Sequence, residues 1–136
     1  HRELHFFSSR RAADLTAIAT TVAGLRKKVG TARILAVLEP RSNTMKLGAM
    51  KDALPGSLAD ADAVFGYGAK GSGKDALGWN LGEALSPLGA KAQAFDDMDG
   101  LVQAIVHSAQ PGDHILVMSN GGFGGVHQKI LDALST

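Results

Sequence analysis

One uninterrupted apolar run constrains the fold of this chain more than any other feature. Residues 34–38 are Ile-Leu-Ala-Val-Leu, and the run stops at Glu39 and Pro40. A strand inside a parallel sheet is covered on both faces, so it needs no alternation of polar and apolar residues. Pro40 has no N–H group to donate to a strand ladder, so the strand should end there. The run therefore predicts a buried strand with polar residues at its carboxyl end, where open α/β sheets bind ligands.

Shorter apolar runs and helical patterns alternate along the rest of the chain. Strands are predicted at residues 4–7, 63–67, 91–95 and 114–118. Helices are predicted from Asp14 or Thr16 to Gly30, over 45–54, from about 80 to 87, after the acidic residues 96–99, and after residue 125. The apolar residues expected on the inner faces of four of these helices are Leu15, Ile18, Val22, Leu25 and Val29; Leu81, Ala84, Leu85 and Leu88; Leu101, Val102, Ile105 and Val106; and Val126, Ile130, Leu131 and Leu134. Such alternation predicts a Rossmann-like α/β fold: a doubly wound, mainly parallel sheet flanked by helices on both faces.

Length and composition limit the classes of protein to consider. A chain of 136 residues is expected to form one domain, and 14 basic against 13 acidic residues give a formal charge of +1. This balance gives no reason to expect nucleic acid or an anionic membrane as a partner. The chain contains no cysteine, which excludes disulfides and thiolate sites. It begins with His1 instead of Met, which suggests a piece of a longer protein.

The loops after Leu38, Tyr67 and Met118 should lie along one edge of the sheet, because right-handed crossovers align parallel strands. In the first loop, Ser42, Asn43 or Thr44 can cap the helix that follows. Arg41 is then left without a structural role, and its planar guanidinium suits a carboxylate or phosphate held at two points. An exposed loop arginine with no specific role is the alternative.

The loop at 119–125 is rich in glycine, with Asn120, Gly121 and Gly122 at its start. Glycines let a backbone approach a ligand closely and turn N–H groups towards an anion. The dinucleotide-binding spacing G-x-G-x-x-G is absent, however, and a merely tight turn remains the alternative. His127 follows this loop and is the one histidine considered functional. His107 is expected on a helix surface, and His114 at a strand start away from the site.

A second glycine-rich stretch, residues 68–74, matches most of the phosphate-binding P-loop pattern. Asp75 follows Lys74 in place of the required Ser or Thr, and the next helix begins only after Gly78. The stretch is therefore interpreted as a solvated loop. The acidic residues Asp96, Asp97 and Asp99 are interpreted as a helix start and not as a metal site.

Residues 37–48 and 112–129, VLEPRSNTMKLG and GDHILVMSNGGFGGVHQK, resemble the C-terminal domain of the murein peptide ligases of the Mur ligase family. The resemblance runs from about Thr16 to the end. It implies a cytoplasmic enzyme of three domains, of which residues 1–136 are the amine-acceptor domain. The implied reaction is ATP-dependent amide formation between UDP-N-acetylmuramate and the tripeptide L-alanyl-γ-D-glutamyl-meso-diaminopimelate in peptidoglycan recycling.

The resemblance also implies which residues bind the tripeptide. They are Arg41, Ser42 and Asn43 after one strand, and Asn120, Gly121 and Gly122 after another; His127 is added as a further candidate. ATP and Mg²⁺ would be bound mainly by a central domain outside this chain, so no cofactor and no catalysis are expected from the chain alone. The family's acidic His-His-Pro segment is replaced here by residues 9–15, and the loop at 68–78 fits no family motif. The alternatives are a stand-alone Rossmann-like module that binds a small anion or nucleotide, and a small P-loop phosphotransferase.

Overall fold

The computed structural model describes residues 5–9, 15–39, 56–67, 86–95, 97–119 and 125–134. The elements in this part of the chain are β1 (His5–Ser9), α1 (Leu15–Val29), β2 (Ile34–Glu39), β3 (Ala63–Tyr67), a 3₁₀ helix (Ser86–Lys91), β4 (Ala92–Phe95), α2 (Met98–Ser108), β5 (His114–Ser119) and α3 (Val126–Leu134). The helix predicted over 45–54 lies outside the described residues.

The five described strands form one parallel sheet in the order β1-β5-β2-β3-β4. As predicted from its apolar run, β2 is central, and residues 34–38 are fully buried. The chain moves outward from β2 to β3 and β4, then returns to place β5 on the other side of β2. This reversal is the mark of a doubly wound sheet, so the predicted fold class is confirmed.

Helices cover both faces of the sheet. On one face, α1 packs Ile18, Val22 and Leu25 against the even-numbered residues of β2. On the other face, residues of α2 and α3 pack against the odd-numbered Leu35 and Val37. The predicted inner faces of these helices are confirmed at eleven positions: Ile18, Val22, Leu25, Val29, Leu101, Val102, Ile105, Val106, Val126, Ile130 and Leu134.

Leu131 was wrongly predicted to face inward, since it is 38% exposed. Val126 and Ile130 are four residues apart and contact the core together. Leu131 is one residue further on and is turned by about 100° around the helix axis. In the nine-residue α3, the apolar stripe continues instead with Leu134, which packs against the same core.

The ends of the helices follow from local chemistry. Gly30 ends α1 with a positive φ of 68°. Asp97 caps α2 by accepting a hydrogen bond from the Gly100 N–H at 2.7 Å, which confirms the helix-start interpretation of this acidic residue. The helix predicted to end near Pro87 is described only from residue 86, where it is a 3₁₀ helix. Gly89 interrupts that helix with a φ of 69°, and β4 begins one residue later than predicted.

None of the helices in the described part of the chain is long and apolar enough to cross a membrane.

Candidate functional site

The carboxyl ends of the described strands lie along one edge of the sheet, here called the carboxyl edge. Because all strand pairs are parallel, the last residues of the strands share this edge: Ser9, Glu39, Tyr67, Phe95 and Ser119. The two central strands end in register, since Glu39 of β2 is paired with Ser119 of β5. Paired strands lie about 4.8 Å apart. The strand ends that precede the two loops predicted to carry the site therefore lie side by side.

Most of the predicted binding residues lie outside the part of the chain that the structure describes. Arg41, Ser42 and Asn43 fall outside the described residues, as do Asn120, Gly121 and Gly122. His127 belongs to the first turn of α3, but its side chain is not described. The structure thus confirms the edge at which these loops begin and leaves the assignment of each residue as a prediction.

Gly125 shows how the glycine-rich loop enters α3. Its φ is 73°, a left-handed conformation that side-chain-bearing residues rarely adopt. The next residue, Val126, is 1% exposed and packs against the core below the sheet. The backbone therefore favours a glycine at residue 125.

Two side chains at the carboxyl edge were missed by the reasoning from sequence. Glu39 had been treated only as the end of a strand, and Tyr67 only as the end of another. Strand alternation places Glu39 on the same face as Leu35 and Val37, and Tyr67 packs against that face as well. The signal that would have found them is the period of two along β2 and β3.

A network of charged groups links the elements at the opposite edge of the sheet, here called the amino edge. Arg26 at the end of α1 donates to four oxygens: two bonds to Asp60 O at 3.2 and 2.8 Å, and one each to Gly30 O at 2.9 Å, Ala32 O at 2.8 Å and the Asp62 carboxylate at 2.6 Å. The same Asp62 oxygen accepts the N–H of Ile34 at 2.8 Å. One arginine therefore joins α1, the start of β2 and the chain that leads into β3.

The electrostatics of Asp62 reflect this network. Burial acts to raise the pKa of its carboxyl group, but the N–H of Ile34 and the guanidinium of Arg26 outweigh burial, with a smaller contribution from Arg33. The pKa of Asp62 is therefore lowered from its ordinary value.

A second pair sits beside this network at the amino edge. Asp113 is buried, accepts the N–H of Gln110 at 2.8 Å and contacts Arg33 at 3.3 Å. Arg33 also donates to the backbone oxygen of Ser108 at 3.4 Å and to its hydroxyl at 3.3 Å. These charges tie the end of α2 and the turn before β5 to the start of β2, so they serve the fold.

A metal or nucleotide site is not supported by the described residues. Within them, no three His, Asp or Glu side chains are grouped closely enough to hold a metal ion. His107 is exposed on α2 and His114 begins β5 at the amino edge, as predicted. The P-loop-like stretch at 68–74 lies outside the described residues. The described residues therefore do not offer the cluster of carboxylates and imidazoles that would hold Mg²⁺.

Comparison with known proteins shows the family to which this chain belongs. The family model described as "Mur ligase, glutamate ligase domain" matches residues 10–121. The chain belongs to this Mur ligase domain family. The resemblance stated from residues 37–48 and 112–129 is thereby confirmed.

Relatives of this Mur ligase domain share both its sequence and its fold. The UDP-N-acetylmuramate–L-alanyl-γ-D-glutamyl-meso-2,6-diaminoheptandioate ligases of Escherichia coli K12 and Haemophilus influenzae are 54% and 51% identical over 88% and 87% of this chain. The crystal structure of a murein peptide ligase from Psychrobacter arcticus is 34% identical, matches 99% of this chain and gives a TM-score of 0.79. The chain spans about a quarter of the length of each curated relative, 25% in both cases, and 28% of the crystallised one.

Proposed function

We propose that this chain is the acceptor domain of a three-domain, ATP-dependent ligase that joins L-alanyl-γ-D-glutamyl-meso-diaminopimelate to UDP-N-acetylmuramate in peptidoglycan recycling. The observation that carries the proposal is the identity of 54% and 51% to two ligases whose names state this pair of substrates. The chain matches 25% of either relative. Its role is therefore one part of the reaction and not the whole.

The layout of the carboxyl edge supports a role in holding the acceptor. Glu39 and Ser119 end the two central strands in register. Arg41 is two peptide units beyond Glu39, and Asn120 is one unit beyond Ser119. Each trans peptide unit spans 3.80 Å between Cα atoms, so the Cα of Arg41 is at most about 7.6 Å from that of Glu39. Covalent geometry alone thus keeps Arg41 and Asn120 near the same stretch of the edge.

The residue types suit this acceptor. The tripeptide carries several carboxylates, and a guanidinium can bind a carboxylate through two parallel hydrogen bonds. Asn120 adds an amide, and Gly121 and Gly122 allow backbone N–H groups to approach an anion. Ser42, Asn43 and His127 are the further proposed contacts. The contribution of this domain to the rate is to align the tripeptide amine with the sugar carboxyl group, an effect worth several kcal/mol (~7–11 kcal/mol at most).

The other substrates and the metal ion are proposed to bind to other domains of the ligase. ATP, Mg²⁺ and the UDP-sugar are assigned to the two domains that precede this one, and the enzyme is proposed to be cytoplasmic. The chain on its own should therefore not form product.

The test is product formation by the longer ligase that contains this chain, supplied with UDP-N-acetylmuramate, ATP, Mg²⁺ and the tripeptide. The proposal predicts a new amide that depends on all four and is detected by mass spectrometry. ATP hydrolysis that does not respond to the tripeptide would contradict it.

Calorimetric titration of this chain alone tests the alternative of a stand-alone nucleotide module. The acceptor-domain proposal predicts no ATP binding by the chain, whether Lys74 is present or replaced in Lys74→Ala. Clear ATP binding that Lys74→Ala abolishes would favour the nucleotide module over the ligase domain.

A further inference from the structure

We draw no further inference here: the strongest candidate, the side-chain cluster on the α1 face of the sheet where the centre of the Phe7 ring lies 5.2 Å from the ammonium of Lys28 and 5.8 Å from the centre of the His114 ring, joins β1 to α1 and β5, and nothing in the described part of the chain points to a ligand or a partner there.

Discussion

The two ends of β2 illustrate two uses of charge on the same sheet. Arg33 precedes the strand at the amino edge, where it contacts Asp113 and Ser108. Arg41 follows the strand beyond the carboxyl edge, where reasoning from sequence found no structural role for it. At the amino edge, charged groups meet backbone carbonyls, backbone N–H groups and one another within the chain. A ligand site needs polar groups that the fold leaves available, and the prediction from sequence places that site at the carboxyl edge.

A charged residue is thus assigned to fold or function by its partners and not by its type. Arg26 and Arg41 are equally able to bind a phosphate or carboxylate. Arg26 instead donates to four oxygens of its own chain, which leaves little capacity for a ligand. If the amino edge is structural, loss of its charges should lower stability, whereas loss of charge beyond the carboxyl edge should not.

The largest effect on stability is expected from Arg26→Met. The substitution removes the hydrogen bonds to Gly30, Ala32, Asp60 and Asp62 at once, and hydrogen bonds from charged groups are worth about 1.5–3 kcal/mol each when buried. The side chain is 27% exposed, so we expect a total loss of about 2–3 kcal/mol in the free energy of unfolding, measured by urea denaturation. Lys27→Met, which removes the same charge from the next, exposed residue, should stay within about 0.5 kcal/mol of wild type. Equal losses in the two variants would mean that net charge, and not the network, explains the effect.

A smaller loss is expected at the start of α3 from Gly125→Ala. A left-handed φ of 73° costs a residue with a side chain about 1–2 kcal/mol, although the space around the glycine is open. Gly24→Ala, within α1 and also in open space, should instead stabilise the chain by about 0.5–1 kcal/mol, because alanine favours the helix. Denaturant midpoints of the two variants should thus move in opposite directions. A neutral Gly125→Ala would show that the positive φ is not required at this position.

The smallest effect, and one that depends on pH, is expected from Asp62→Asn. At pH 7 we expect a loss of about 1 kcal/mol, reduced by solvent because the Asp62 side chain is 39% exposed. The folded pKa of Asp62 is below its unfolded value, so this stability is fully present above the unfolded value of about 3.9. It is lost as the pH falls through the folded pKa. The difference between wild type and variant should therefore be constant from pH 7 to about pH 5 and should shrink below about pH 4.

The matched control for that variant is Asp60→Asn. Asp60 is exposed, and Arg26 donates to its backbone oxygen and not to its carboxylate. Replacing the side chain with that of asparagine therefore leaves those bonds in place. We expect the free energy of unfolding of this variant at pH 7 to stay within about 0.5 kcal/mol of wild type. A gap between wild type and Asp62→Asn that widens on acidification would contradict the lowered pKa.

Much of the fold could be predicted because strands and helices leave local patterns of apolar residues in the sequence. The run at 34–38 predicted the central strand, and spacings of three and four residues predicted the buried stripe of α1. The order of the strands could not be obtained in this way, because β5 enters between β1 and β2 through contacts between residues about 80 and 109 positions apart. The hydrogen-bond network of Arg26 could not be predicted from the sequence either. Its acceptors are mostly backbone oxygens, which every residue possesses, and Asp62 is 36 positions away.

The sequence predicted the edge of the sheet at which the candidate site lies, but not which side chains share a face there. Parallel strands bring their carboxyl ends together, so the position of the loops after Leu38 and Met118 followed from the fold class. The identity of the side chains that share a face there depends on packing. Glu39 and Tyr67 could be grouped only after Leu35, Val37 and Phe65 were seen to line the same core.

The most direct measurement is KM for the tripeptide in the full ligase that carries Arg41→Ala or Arg33→Ala, two arginines at opposite ends of β2. If the carboxyl edge holds the acceptor, Arg41→Ala raises this KM at least tenfold, about 1.4 kcal/mol, with unchanged KM for ATP and the UDP-sugar and an unchanged Tm. Arg33→Ala lowers Tm and leaves KM for the tripeptide within twofold. An Arg41→Ala enzyme with an unaltered tripeptide KM, or an equal rise in KM for both variants, would contradict the division of the sheet into a structural edge and a binding edge.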